Sequence, residues 1–206
     1  MFEFHTPFVT LDYLGVGLFA ITGALAAARS RHDVITFVVF AIITGVGGGT
    51  LRDLLIGAPV FWVHQAAYLW VCVGAALAVW IVGERLWRTS ALVWFDAVGL
   101  AAYAVIGSGK ALSFGIGSIV AVAMGMLTAT FGGILRDVFA GEPSVLLKRE
   151  IYITAALLAA AVYVGAIALH IDAAIAGGVA FAAGLALRAG AIRFGWTLPG
   201  FEARNK

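Results

Sequence analysis

Residues 44–59 of this chain return 84 positions later as residues 128–143. Each copy sets a glycine cluster inside an apolar run and follows it with an arginine and an aspartate, Arg52-Asp53 in the first and Arg136-Asp137 in the second. Two opposite charges inside a run that is long enough to cross a bilayer are costly unless they are paired or line a water-filled path. The pattern is typical of membrane transport proteins and favours that class here.

The composition agrees with a membrane location. The 206 residues are 63% hydrophobic and 12% charged, and 26 of them are glycine, a balance that soluble globular domains do not show. Apolar runs of about 20 residues match the hydrocarbon core of a bilayer when they are helical. The sequence predicts an all-α membrane protein with seven transmembrane helices, at residues 8–28, 34–57, 64–83, 92–112, 115–140, 150–169 and 172–192.

The 84-residue shift extends beyond the motif. It pairs Asp12 with Asp96 and Tyr68 with Tyr152 without a gap, which indicates the duplication of a three-helix unit. Because three is odd, the second unit enters the membrane from the opposite side, and the two units form an inverted repeat, as in many transport proteins. We predict a single transmembrane domain over residues 1–206, with repeat 1 at about 8–83, repeat 2 at about 92–169 and the seventh helix at about 172–192.

The basic residues outside the motif predict an orientation. Ten of them fall on one side of the seven predicted helices, and Lys110 falls on the other. By the positive-inside rule the N-terminus is outside and the C-terminus is cytoplasmic, as expected for a multi-pass protein of the cell inner membrane. The ten residues are Arg29, Arg31, Arg85, Arg88, Lys148, Arg149, Arg188, Arg193, Arg204 and Lys206.

Glycines concentrate near the middle of the second and fifth predicted helices. They are Gly47, Gly48 and Gly49 in the first copy and Gly132 and Gly133 in the second. Glycine weakens a helix by up to about 1 kcal/mol per residue relative to alanine, so the clusters predict a kink or an unwound turn. Carbonyl groups freed there would coordinate a dehydrating cation. The alternative is that the glycines let helix backbones pack closely.

Threonines lie beside both glycine clusters, at Thr44, Thr128 and Thr130. Their hydroxyl groups would add ligands to an ion path. The competing interpretation is a hydrogen bond from each hydroxyl to the backbone of its own helix, which is the default for a helical threonine.

Six charged residues repeat between the two copies: Arg52, Asp53, Arg136, Asp137, Asp12 and Asp96. Neighbouring residues point about 100° apart on a helix, so each arginine is expected to pair across helices rather than with the aspartate beside it. Asp12 and Asp96 are the candidate partners. Buried ion pairs are costly to desolvate, and these residues either hold the two halves together or line a pore.

Lys110 is the charged residue that the duplication does not explain, because Ala26 occupies the corresponding position in the first copy. Its long side chain is expected to extend to the outer membrane interface. A charge at the mouth of a pore is the alternative.

Several classes of site are not indicated. The four histidines are dispersed, so we expect no bound metal beyond a transient potassium ion. No grouping of nucleophile, base and carboxylate suggests an enzyme, and residues 107–111 lack the strand and the hydroxyl residue of a phosphate-binding loop. We expect no catalytic residue, no cofactor and no nucleic-acid partner.

The repeated motif Gly-Gly-x-x-Arg-Asp-x-x-x-Gly-x-Pro, at residues 48–59 and 132–143, resembles that of a bacterial membrane family once known by an uncharacterised or "glycine transporter" domain. Its members are prokaryotic relatives of the TRIC (trimeric intracellular cation) channels. The resemblance covers nearly the whole chain. It implies a seven-helix inverted-repeat fold, a homotrimer in membrane lipid, and one potassium path in each subunit past Gly47, Gly48, Gly49, Gly132 and Gly133.

The function expected from these observations is a monovalent cation channel for potassium. Discrimination between cations should be modest, because the sequence has no carbonyl-lined filter of the Thr-Val-Gly-Tyr-Gly kind. A secondary transporter of a small solute such as glycine is the main alternative, since inverted repeats and mid-membrane glycines serve alternating access equally well. A structural membrane subunit, in which the glycines serve packing alone, is a third interpretation.

Overall fold

A computed structural model describes residues 6–83, 90–147 and 149–199. Five of the basic residues used to predict the orientation, Arg85, Arg88, Lys148, Arg204 and Lys206, lie outside the described residues. Within that part of the chain there are eight α-helices and a short 3₁₀ helix at Val145–Leu147. The α-helices are α1 (Thr6–Arg29), α2 (Val34–Leu55), α3 (Phe61–His64), α4 (Ala67–Val82), α5 (Ala91–Ser113), α6 (Ser118–Phe139), α7 (Ile153–Ala168) and α8 (Ala173–Phe194).

The predicted all-helical architecture is confirmed. Five helices, α1, α2, α5, α6 and α8, are long and apolar enough to cross a membrane, and α4 and α7 are apolar helices of 16 residues each. Each of the seven predicted segments overlaps one of these helices, while the four-residue α3 was not predicted as a separate helix. How many helices cross the bilayer stays a prediction.

The helix ends follow from local sequence. Asp33 caps α2 by accepting a hydrogen bond from the amide of Thr36 at 2.9 Å, and this bond lowers the pKa of the Asp33 carboxyl. Asp172 caps α8 in the same way. Gly57 and Gly141 follow α2 and α6 with a φ of 68° at both positions, a backbone conformation that favours glycine. The two copies of the motif therefore end their helices alike.

The helices α2 and α6 cross with their backbones in contact. A side chain at Gly48 would collide with the carbonyl oxygen of Thr128, and one at Gly132 would collide with the carbonyl oxygen of Thr44. Because residue 44 faces 132 while residue 48 faces 128, the two helices run antiparallel at the crossing. The contact is reciprocal under the 84-residue shift.

The same reciprocity extends to α1 and α5, which pack against each other. Gly15 of α1 makes room for the ring of Tyr103 on α5, and Gly99 of α5 makes room for the ring of Phe19 on α1. The last helix, α8, packs mainly on α5 and α7, which belong to the second copy. The bundle thus has a paired centre of α1, α2, α5 and α6 and one helix outside the pairing.

The glycine clusters do not interrupt their helices. The helix α2 is continuous past Gly47, Gly48 and Gly49, and α6 is continuous past Gly132 and Gly133. Of the two predicted outcomes, the unwound turn is wrong, because the weak helix propensity of glycine is offset where the absence of a side chain lets a neighbour approach. A kink at the clusters stays a prediction.

Candidate functional site

Two clusters of buried charges flank the central crossing. Arg52 and Arg136 each lie four residues beyond the crossing glycine of their own helix, or about 6 Å along its axis. Because α2 and α6 are antiparallel there, the two arginines lie on opposite sides of the crossing. Each begins a cluster that joins several helices.

The Asp53 cluster consists of Arg52, Asp53, Phe61 and Lys110. Arg52 donates to Asp53 through Nε and Nη2, both at 2.8 Å, and Lys110 Nζ lies 2.8 Å from the same carboxylate. The backbone amide of Phe61 donates to Asp53 Oδ2 at 3.0 Å, and its ring lies below both cations, 5.8 Å from Lys110 Nζ and 6.0 Å from Arg52 Cζ. Asp53 is fully buried, so one carboxylate is enclosed by two cations.

The Asp137 cluster consists of Arg136, Asp137, Asp96, Thr22 and Val145. Arg136 donates to Asp137 Oδ1 through Nε at 3.0 Å and through Nη2 at 2.9 Å. Its Nη1 donates to Asp96 at 2.7 Å and to the Thr22 hydroxyl at 3.1 Å, and the amide of Val145 donates to Asp137 Oδ2 at 2.9 Å. Here one cation is enclosed by two carboxylates, the reverse of the Asp53 cluster.

The aspartates of α1 and α5 behave differently in the two clusters. Asp96 pairs with Arg136, as the sequence predicted. Its counterpart Asp12 accepts a hydrogen bond from the hydroxyl of Tyr68 at 2.7 Å, and among the described residues it forms no ion pair with Arg52. The predicted cross-helix pair is therefore confirmed in one copy and wrong in the other.

A hydroxyl group also distinguishes the clusters. Thr22 offers its oxygen to Arg136, whereas Ile106 occupies the corresponding position in the second copy. In the part of the chain that the structure describes, Nη1 of Arg52 is buried without a hydrogen-bond partner. A buried guanidinium nitrogen of this kind is expected to bind water or another polar group.

The expectation that neighbouring arginine and aspartate point apart is also wrong. Both Arg52-Asp53 and Arg136-Asp137 are ion pairs. The angle of about 100° between adjacent positions describes the Cβ directions, but the arginine side chain is long and flexible enough to swing its guanidinium back to the carboxylate beside it.

Lys110 does not extend to the membrane interface. Its side chain is 12% exposed and ends at Asp53, so the prediction of an interfacial lysine is wrong. A buried carboxylate is stabilised by each cation within its reach, and the position of Lys110 in α5 brings its amine to Asp53 beside Arg52.

In the Asp137 cluster, the place that corresponds to the Lys110 side chain is an open cavity. Ala26 occupies the equivalent position, and a cavity of about 140 Å³ lies beside it. Asp96, Arg136 and Asp137 line this cavity, together with Arg188 of α8. The small side chain of Ala26 leaves the Asp137 cluster accessible where Lys110 closes the Asp53 cluster.

The three threonines differ in whether their hydroxyls bond to their own helix or stay available as ligands. The hydroxyls of Thr128 and Thr130 donate to carbonyl oxygens of their own helix at 2.5 and 2.9 Å, as the default predicts. The Thr44 hydroxyl faces Gly23 of α1 and is buried without a partner among the described residues. It is the threonine that remains available as a ligand.

Sequence reasoning missed three contributors to these clusters. Phe61 contributes a backbone amide and a ring, Thr22 a hydroxyl, and Tyr68 the hydroxyl that holds Asp12. Tyr68 repeats between the copies, and this recurrence was a usable signal. A backbone amide leaves no trace in the side-chain pattern, so the contribution of Phe61 could not be found in that way.

Buried ion pairs inside a bundle of apolar helices define a multi-pass membrane protein with a polar interior. A family profile described as "Glycine transporter" matches residues 9–84 and 93–168, which are the two predicted repeats. A UPF0126 membrane protein of Vibrio cholerae is 37% identical over 198 residues, covering 93% of this chain and 81% of the relative.

Solved structures give the same grouping. The TRIC trimeric intracellular cation channel orthologue from Rhodobacter sphaeroides is 46% identical, with a TM-score of 0.88 over 93% of this chain and 100% of the other. Another TRIC cation channel is 31% identical, with a TM-score of 0.86 over 96% and 98% of the two chains. The chain belongs to the TRIC family, and the resemblance drawn from the motif is confirmed.

Proposed function

We propose that this protein is a monovalent cation channel, chiefly for potassium, that works as a homotrimer with one ion path in each subunit. Its relative from Rhodobacter sphaeroides is described as a trimeric intracellular cation channel. The observation in this chain that carries the proposal is the cavity beside the Asp137 cluster. Among the residues that the structure describes, four carboxylates and three arginines line this cavity, and such an excess of negative charge concentrates cations.

The proposed path leads from this cavity past the α2–α6 crossing to the Asp53 cluster. Because both helices are continuous, carboxylates, hydroxyls and water would replace the hydration shell of the ion. Thr44 lies at the crossing through its carbonyl group, and its unpartnered hydroxyl faces Gly23 of α1. A path of this kind has no ring of carbonyl oxygens of fixed size, so its discrimination between potassium and sodium is modest.

Lys110 closes the path at the Asp53 cluster. Its amine lies on the carboxylate that a passing cation would use, and two like charges repel one another strongly in a buried site. Conduction therefore requires Lys110 to move away from Asp53. The side chain of a lysine has four rotatable bonds, so this movement needs no change in the helices.

The same proposal includes the arrangement in the membrane. Seven helices cross the inner membrane, as two inverted repeats and a final helix, with the N-terminus outside and the C-terminus in the cytoplasm. The antiparallel, reciprocal crossing of α2 and α6 supports the inverted repeat. The shared cavity supports the sidedness, because Arg29, Glu150 and Arg188 line it together and so place the ends of α1 and α8 and the start of α7 on one face.

Planar-bilayer recording of the purified protein under a potassium chloride gradient tests the function. We expect discrete openings with a reversal potential that follows potassium. Asp137→Asn should shift that potential toward zero, because it reduces the negative charge at the cavity. The matched control, Asp172→Asn, makes the same change at a carboxylate that does not line the cavity and that caps α8, a role that asparagine can also fill.

Two results would contradict the channel. Uptake of a labelled small solute that saturates and depends on a gradient, without unitary currents, would indicate a secondary transporter. A protein that forms trimers and shows neither current nor uptake would indicate a structural membrane subunit.

A further inference from the structure

A second recess lies between the α1–α2 turn and the end of α4. We call it the Arg31 groove. It has a volume of about 300 Å³ and shares no lining residue with the cavity beside the Asp137 cluster. Arg31 and His32 form one wall, and Phe37, Val79 and Trp80 form the other. One side is therefore basic and exposed, and the other is apolar and aromatic.

The backbone at Arg31 is in the left-handed region, with a φ of 54°. Its counterpart under the 84-residue shift is Gly115, with a φ of 75° at the same place in the α5–α6 turn. Glycine adopts this conformation freely, whereas a residue with a Cβ atom does so at a cost. The conformation of the turn favours glycine, so it does not explain why an arginine occupies position 31. The arginine side chain is therefore expected to have a role of its own.

The charge of Arg31 is not neutralised by the part of the chain that the structure describes, where no carboxylate forms an ion pair with it. The neighbouring Asp33 carboxylate instead accepts from the amide and the hydroxyl of Thr36, at 2.9 and 3.2 Å. The residues that line the groove from α2 and α4 carry no charge. Arg31 and His32 thus present a basic surface to the groove.

The chemistry of the two walls matches a phospholipid headgroup. A guanidinium binds phosphate through paired hydrogen bonds. Trp80 is 46% exposed near the end of an apolar helix, and tryptophan favours the level of the headgroups in a bilayer. A soluble anion would use the basic wall alone, whereas a lipid uses both.

We propose that the Arg31 groove binds an anionic phospholipid, with Arg31 and His32 at the phosphate and the exposed ring of Trp80 against the glycerol and the first acyl carbons. Basic residues at a membrane surface attract anionic lipids in this way. The site is separate from the ion path, so it does not depend on the proposed channel function.

The test is a thermal-unfolding titration of the full chain in neutral detergent with phosphatidylglycerol, phosphatidylcholine or inorganic phosphate. Phosphatidylglycerol should raise the melting temperature of the wild type, and the other two should not. In Arg31→Gly, whose turn suits glycine, the apparent affinity for phosphatidylglycerol should fall about fivefold. The control is His170→Gly, since His170 has a similar φ of 60° and does not line the groove; it should bind like the wild type.

Arg31→Gln, which keeps the length and removes the charge, gives an independent measure, and Trp80→Ala should lose affinity as well. Unchanged affinity in both Arg31 variants would overturn the proposal. An equal rise in melting temperature with inorganic phosphate would also overturn it, because it would indicate a site for a free anion rather than a lipid.

Discussion

The Asp53 and Asp137 clusters begin from the same motif and end with opposite charge arrangements. In the first, one carboxylate lies between Arg52 and Lys110; in the second, one guanidinium lies between Asp96 and Asp137. Asp53 and Asp137 each also accept a hydrogen bond from the backbone amide of the residue eight positions later. The duplicated backbone contacts are the same, and the difference comes from a few side chains.

The exchange of Ala26 for Lys110 and the different partners of Asp12 and Asp96 account for most of this difference. Where the first copy has Ala26 the second has Lys110, and where the first has Thr22 the second has Ile106. Each of these two substitutions acts on the cluster of the other copy. Thr22 and Ala26 of α1 lie at the Asp137 cluster, and Lys110 of α5 lies at the Asp53 cluster, although α5 also supplies Asp96 to the Asp137 cluster. A duplicated scaffold can thus be closed at one end and open at the other without any change in the helices.

The largest effect is expected from Arg136→Leu. It removes the cation that pairs with both Asp96 and Asp137 and leaves the two carboxylates buried together, which should destabilise the protein by about 3–5 kcal/mol. Arg52→Leu should cost clearly less, because Lys110 still neutralises Asp53. Unfolding of the purified proteins in detergent measures both values. Equal losses would show that Lys110 does not compensate for Arg52.

The central crossing should respond equally in both copies. Gly48→Ala and Gly132→Ala each force a methyl group against a backbone carbonyl of the other helix, at a cost of about 1–3 kcal/mol. In the controls, Gly74→Ala and Gly165→Ala, the added carbon meets nothing within 4 Å, and helix propensity should leave stability unchanged or raise it. A cost in one copy alone would contradict the reciprocal crossing.

Two single variants, Lys110→Ala and Ala26→Lys, test whether Lys110 closes the ion path at the Asp53 cluster and Ala26 leaves it open at the Asp137 cluster. Lys110→Ala should raise the unitary potassium conductance by about two- to tenfold, since the charge of the amine no longer opposes a cation at Asp53. Ala26→Lys should lower it by placing an amine beside the Asp137 cluster. Lys110→Arg, which keeps the charge, is the control. Unchanged currents in the first two variants would place the path away from both clusters.

The smallest effect is expected from the hydroxyl of Thr22. Thr22→Val keeps the shape and removes an acceptor from Arg136, which should cost about 1 kcal/mol of unfolding free energy. Ile106→Thr should have the opposite effect, because the 84-residue correspondence places its hydroxyl near the unpartnered nitrogen of Arg52. Chemical unfolding measures both changes. A stabilised Thr22→Val protein would contradict the assigned hydrogen bond.

Much of the fold was accessible from the sequence, because its signals are local. Apolar runs gave the position of every long helix, and the duplication singled out Asp12 and Asp96 as candidate partners of the arginines, of which Asp96 pairs with Arg136. The effect of the glycines on α2 and α6 was harder to predict. Their low helix propensity predicted broken helices at Gly48 and Gly132, but propensity is a weak effect beside the contact that their missing side chains allow between α2 and α6.

The sequence alone determined the membrane class, the family and the two copies of the charged motif, since composition and repetition are properties of the chain itself. The tertiary structure decided the partner of each charge. Lys110 and Asp53 are 57 residues apart, and no local pattern links them. Their contact depends on how α5 packs beside α2, and a buried charge accepts whichever partner the packing brings within reach.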